Sequence, residues 1–271
     1  MLVFKGPEVA ARYPPGTRRF SDVDLLVEDA ATAQQALLAA GFELVDDPGQ
    51  HSHHLTPLRW RSLPLPIEIH STVKWPQELP SSPDLDTLFA AAVPSATSVA
   101  GLQAPAPHHH SLILAAHSWA HTPLRIARDL VDIAAIASEA NAVEVDAFAD
   151  EWGLRRVWNT TRAVCDWLAG GAERPAAVSI WGRHLIDLRE ATVLEGHIER
   201  WLSPFWALPP RAAMRSSALV LAYDFGLNED ETVGQKLART ARAVRHALTP
   251  KSKWGWSQDP ADFNQRRFRR R

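Results

Sequence analysis

The chain has 271 residues, 46% of them hydrophobic, and a formal net charge of −2; it can bury one large core or two modest ones, and it is too apolar to be disordered over most of its length. No apolar stretch approaches the roughly 20 residues that cross a bilayer, and residues 1–6 lack the basic and apolar regions of a secretory signal, so no membrane partner and a cytoplasmic location are expected. Cys165 is the single cysteine, which excludes an internal disulfide and argues against a cysteine-based zinc site.

Short strand and helix signals alternate over the first ninety residues. Residues 2–4 form a brief apolar run closed by Lys5, Gly6 and Pro7. Residues 8–13 suit a short helix that Pro14, Pro15 and Gly16 stop. Residues 22–27 are β-prone, with polar groups at alternate positions and a continuous apolar end. Residues 30–40 are rich in alanine and leucine and close on Gly41, a good helix terminator. Residues 42–45, 54–58 and 66–73 read as three more strands separated by turn residues. Because these strands cluster without a helix after each, the pattern predicts a mixed sheet with helices on one face. Residues 93–107 read as a linker, and beyond it helical periods dominate: 111–120, 124–140, 143–152, 154–169 and much of 182–248. The expected organisation is an α/β domain over 1–95, a helical domain over 96–252 and a basic, poorly ordered tail over 253–271.

Carboxylates carry the chemistry. Asp22 and Asp24 are two apart on a strand-like segment, which sets both on one face about 7 Å apart, while Val23 points the other way. Glu68 occupies a second strand-like segment between Ile67 and Ile69. If the two strands are neighbours, three carboxylates converge. Two such charges repel by about 2 kcal/mol at an effective dielectric of 20. A divalent ion such as Mg²⁺, or a pair of them, removes that repulsion and holds phosphate oxygens as well. Rigid strands suit this spacing better than loops. The plainer reading of an Asp-x-Asp pair is two solvated groups at a strand end.

The surroundings favour the first reading. Lys5 and Gly6, then Tyr13, Arg18, Asp22 and Asp24, then Gly41 and Phe42, His53 and His54, and Glu68 and His70 follow in an order that resembles the uncharacterised nucleotidyltransferase family of the polymerase-β-like superfamily. The likeness continues through His117, His121, Arg128, Asp129 and Asp132, and covers about residues 3–135. It implies an α+β fold: an N-terminal mixed sheet with helices, then a mainly helical C-terminal domain. It also implies metal binding and catalysis by Asp22, Asp24 and Glu68, and a triphosphate approached by Gly6, whose missing side chain permits close contact. Arg18 matches the family arginine four residues before the first aspartate, where a guanidinium grips phosphate, and Lys5 would act likewise. His70 shares a strand face with Glu68 and would bind the nucleotide or orient the carboxylate. Pro7 departs from the Gly or Ser usual after the first glycine and removes one N–H donor.

His117 and His121 lie four apart on one helix face, and with Asp129 they could line the cleft opposite the carboxylates. Ser118 stands where a His-Glu-x-x-His zinc motif needs glutamate, so packing is the simpler role. His108, His109 and His110 read as a polar approach to this helix. Trp152, Trp158 and Trp167 fall on helical patterns as core residues. Residues 266–271 hold five of the 29 basic groups; without them 24 face 31 acidic groups, a net charge of −7. The expected function is therefore Mg²⁺-dependent transfer of a nucleotidyl group from an NTP to an acceptor hydroxyl on a small molecule, a protein or an RNA. The alternatives are a nucleotide- or partner-binding module that has lost the chemistry, and a toxin-type enzyme that uses the basic tail to hold RNA. The acidic body disfavours a large nucleic-acid surface.

Overall fold

The computed structural model describes residues 1–45, 53–63, 65–76, 79, 82–121, 124, 126–186, 189–226 and 231–250. Strands and short helices come first: β1 (Leu2–Val3), α1 (Pro7–Ala10), β2 (Val23–Leu26), α2 (Ala30–Ala39), β3 (Glu43–Leu44), β4 (Leu58–Arg59), β5 (Pro66–His70), α3 (Leu85–Ala90), β6 (Val93–Pro94) and β7 (Gln103–Ala104). Helices follow: α4 (Pro107–His121), α5 (Ala127–Ala137), α6 (Ala142–Glu151), α7 (Arg155–Leu168), α8 (Ala176–Ile180), α9 (Val193–Leu202), α10 (Pro204–Ala207), α11 (Pro210–Phe225) and α12 (Val233–Arg245). This is an α+β fold with a helical C-terminal region. Among the described residues, no helix is long and apolar enough to cross a membrane.

The chain divides into two compact units. One comprises Met1–Pro76, Pro80–His117 and Val131–Arg155; the other comprises Gln77–Leu79, Ser118–Leu130 and Arg156–Arg271. The first holds a seven-stranded mixed sheet in the order β3-β4-β5-β2-β1-β7-β6. β2 runs antiparallel to β1 and parallel to β5. Leu2, Val3, Phe4 and Leu26 are sealed from solvent, which explains why residues 2–4 and the end of β2 read as apolar runs. Val27, Ala30, Leu58 and Ile69 form a core cluster that Leu37, Phe42 and Ile67 extend. Asp29 caps α2 by accepting from the Thr32 N–H, and Gly41 follows at a φ of 100°, the left-handed exit that the sequence signals.

Three segments differ from the sequence reading. Residues 93–107 contain a strand pair, β6 with β7, that extends the sheet, and β7 lies parallel to β1. Pro94 is tolerated because β6 is the outermost strand, where a missing N–H breaks no ladder. His108, His109 and His110 belong to α4 rather than preceding it, because Pro107 supplies a favourable first helical position. His109 and His110 are buried: the first packs on Trp152, the second donates from Nε2 to the Phe4 carbonyl at 2.5 Å. The strand expected over 54–58 is reduced to β4 and an isolated bridge between His54 and His70.

The second unit packs indoles at its centre. Trp206 meets Trp181 at 3.8 Å and Trp119 at 4.5 Å between ring centres, and the Trp119 N–H donates to Thr161 Oγ1. Trp158 is buried and Trp167 half-buried. Thr192 and Glu195 form a capping box at the start of α9. The N–H groups of Val193 and Leu194 then reach the carbonyls of Thr249 and Ala247, tying the chain after α12 to this helix. The basic tail expected over 253–271 lies outside the described residues.

Candidate metal and nucleotide site

β2 and β5 bring the key carboxylates together. They are parallel neighbours in which Asp24 is in register with Glu68, and Leu26 with His70. Registered residues on neighbouring strands point to one face, and alternation adds His70 to the Glu68 face. One ligand atom each from Asp24, Glu68 and His70 therefore lies within 4.8 Å of the others. Asp24 and His70 are buried, and the Glu68 side chain retains 24% of its exposure. The cluster has a sealed floor and one open carboxylate.

Asp24 Oδ1 is heavily bonded. It accepts from Lys5 Nζ at 3.1 Å and from His70 Nε2 at 2.9 Å. Burial pushes the Asp24 carboxyl up, but the Lys5 ammonium and the His70 imidazole outweigh burial and hold it down at about 2. Burial alone would lower His70; its bonds to Asp24 and Glu68, whose Oε2 lies 3.5 Å away, raise it instead. Burial raises Glu68, and the His70 bond reverses that, leaving it low. Asp22 behaves oppositely: burial and then the Asp24 charge raise its carboxyl, with a further rise from Glu68 against the pull of Lys5. Asp22 thus senses both other carboxylates from the residue just before β2, although the tight group consists of Asp24, Glu68 and His70.

Asp24 Oδ2 and His70 Nδ1 are buried and make no hydrogen bond among the described residues. An unsatisfied carboxylate oxygen sealed from water is costly, and a divalent cation is the partner such an oxygen lacks. With a second carboxylate adjacent, the donor set fits a hard or borderline divalent ion.

Gly6 has a role the sequence did not show. It adopts a φ of 61°, and a Cβ there would fall 2.3 Å from the Asp22 carbonyl oxygen. The glycine lets the turn after β1 press against the backbone entering β2. Lys5 beside it also donates to His117 Nε2 at 3.2 Å, so His117 belongs to the edge of the site. Arg18 holds Asp132 through Nε at 2.9 Å and Nη2 at 2.7 Å, and Tyr13 donates to the same carboxylate at 2.9 Å. Its guanidinium is engaged with a protein carboxylate here. His121 ends α4, and Asp129, 3.9 Å from Arg128, lies in the first turn of α5; both belong to the second unit.

Two contributors escaped sequence reasoning as site residues. His54 directs Nε2 toward Glu68 Oε2 at 3.9 Å, while its Nδ1 donates to the Leu55 carbonyl. Asp132 is the partner of Arg18. An isolated bridge between His54 and His70 places the first, and no periodicity announces it. Asp132 stands in the Arg128 to Asp132 stretch, whose charge pattern marks it as notable without naming a partner. Residues 1–170 match a family model described as uncharacterised nucleotidyltransferase. No curated protein matches the chain.

Proposed function

Because the chain belongs to the uncharacterised nucleotidyltransferase family, we propose that it transfers a nucleotidyl group from an NTP to an acceptor hydroxyl, with Mg²⁺ as the cation and the cytoplasm as its place of work. One observation carries the reading: a buried aspartate with an orphaned oxygen stands in register with a partly open glutamate on the parallel neighbouring strand. Asp24 and Glu68 would hold the ion with Asp22 beside them. When bound, a divalent ion supplies charge neutralisation for the triphosphate and the leaving pyrophosphate.

The residues of the chain do the rest. His70 donates to Asp24 Oδ1 and so would leave Oδ2 available to hold the ion. Glu68 is the cluster member that solvent reaches, so an acceptor hydroxyl would surrender its proton near this carboxylate more readily than at sealed Asp24. Gly6 keeps the turn close to Asp22, and Lys5 adds positive charge for phosphate.

A transfer assay with radiolabelled NTPs, Mg²⁺ and cell extract tests the proposal. Labelled product should form with the wild-type chain and vanish with the Asp22→Ala/Asp24→Ala double variant; equal labelling by both would remove the enzyme reading. A second reading, a binding module without chemistry, draws on the engagement of Arg18 by Asp132 and of Lys5 by Asp24. It expects nucleotide to protect the chain thermally while no label is transferred.

A further inference from the structure

Charge is segregated along this chain. Residues 1–232 carry 18 basic groups against 29 acidic ones, and residues 233–271 carry 11 against two. Within the described part of that basic segment, α12 has no buried residue. It nevertheless presents aliphatic side chains: Val233, Leu237 and Val244 are 64%, 65% and 71% exposed, and Leu248 in the turn beyond is 79% exposed. At about 100° per residue, Val233, Leu237 and Val244 fall within roughly 40° of one another on the helix. They make a stripe. Arg245 is exposed about 80° around the helix from Leu237, at the border of the stripe, whereas Arg242 is exposed about 140° from Leu237, on the far side; residues 233–250 contain no acidic group.

We propose that α12 seats the protein on an anionic lipid surface, with the Val233, Leu237 and Val244 stripe entering the headgroup boundary and Arg245, at its border, meeting lipid phosphates. A cationic helix with an unfilled aliphatic stripe suits an interface that is charged above and apolar beneath. RNA offers the charge but gives aliphatic side chains nothing to enter, so nucleic acid accounts for the arginines and leaves the stripe unexplained. A second copy offers apolar cover but brings the same arginines against one another. Crossing and lying on a bilayer are different demands, and only the first needs a long apolar helix. The sequence after Pro250 supplies seven more basic groups with Trp254 and Trp256, the second signal that stable surface attachment needs.

The test is co-sedimentation of the full-length chain with vesicles of phosphatidylcholine alone or mixed with phosphatidylglycerol. The chain should pellet with the mixed vesicles, stay in solution with the neutral ones, and be released by raised salt. Leu237→Glu/Val244→Glu should abolish pelleting. Arg245→Gln, which leaves the stripe intact, should lower the partition by roughly five-fold. Melting curves of each variant establish that it folds, and light scattering reports particle mass. Failure of the wild type to pellet overturns the proposal. So does wild-type pelleting by the Leu237→Glu/Val244→Glu variant, or a fall in particle mass in that variant, which would make the stripe a contact between copies.

Discussion

Asp24 is the most constrained residue of the site, since two donors, Lys5 and His70, share one of its oxygens and the other has none among the described residues. A carboxyl held at about 2 in the fold, below its unfolded value, adds stability that is fully present above about pH 4. That stability is lost as pH falls through 2. Its size is on the order of 2 kcal/mol. Asp24→Asn should therefore be less stable than wild type at pH 5 in urea unfolding, and the gap should close toward pH 2.5; a constant gap would contradict the assignment. Gly6→Ala faces both a positive φ and the Asp22 carbonyl. It should cost about 2 kcal/mol or more in urea unfolding and weaken Mg²⁺ binding measured by calorimetric titration, because relief of the clash moves the backbone that carries Asp22.

Elements act here through side chains that join distant parts of the chain. Tyr13 and Arg18, on the segment between α1 and β2, both close on Asp132 in α5. Burial and then the Asp132 bond push the Tyr13 hydroxyl pKa up, so it stays a donor at neutral pH. Asp132→Ala would take from a largely buried guanidinium the carboxylate it grips and should cost about 3 kcal/mol. A double-mutant cycle with Arg18→Ala should show strong coupling, whereas additive losses would mean that the pair is incidental. α4 contributes differently. His110 is neutral in the fold, pushed by burial down to about 4 although its bond to the Phe4 carbonyl pulls upward. A base depressed by folding adds stability that is present above its unfolded value near 6.5 and is lost as pH falls toward 4. The loss is on the order of 3 kcal/mol. His110→Gln should make the stability profile shallower between pH 6.5 and 4; His109, which burial also pushes down to about 4, keeps part of the slope, and His70, which is raised, loses its contribution only above pH 6.5.

At the scale of the whole molecule, binding and folding are linked. A ligand at one hundred times its dissociation constant adds about 2.7 kcal/mol. Mg²⁺ with a non-hydrolysable NTP should thus raise the melting temperature of the wild-type chain, and a chelator should reverse the gain. Asp24→Asn should show neither effect; an equal rise in that variant would place the ligand elsewhere. Legibility also varies with scale. Asp22, Asp24 and Glu68 stood out because strands have a period of two and carboxylates rarely interrupt apolar runs without cause. Val93, Pro94, Gln103 and Ala104 did not, because two-residue strands have no period to read and exist only where β1 offers them a partner.

Apart from β6 and β7, the sequence by itself determined the order of elements, and it carried the family likeness and the candidate carboxylates, since local periodicity and motif spacing are properties of neighbouring residues. Only the tertiary structure decided that β5 lies parallel beside β2, that His70 completes the cluster, and that Gly6 faces the Asp22 carbonyl. It alone matched Lys5 with His117 and Arg18 with Asp132, pairs 112 and 114 residues apart. Such contacts arise when packing commits two surfaces to each other, and no short window of residues records which surfaces those are.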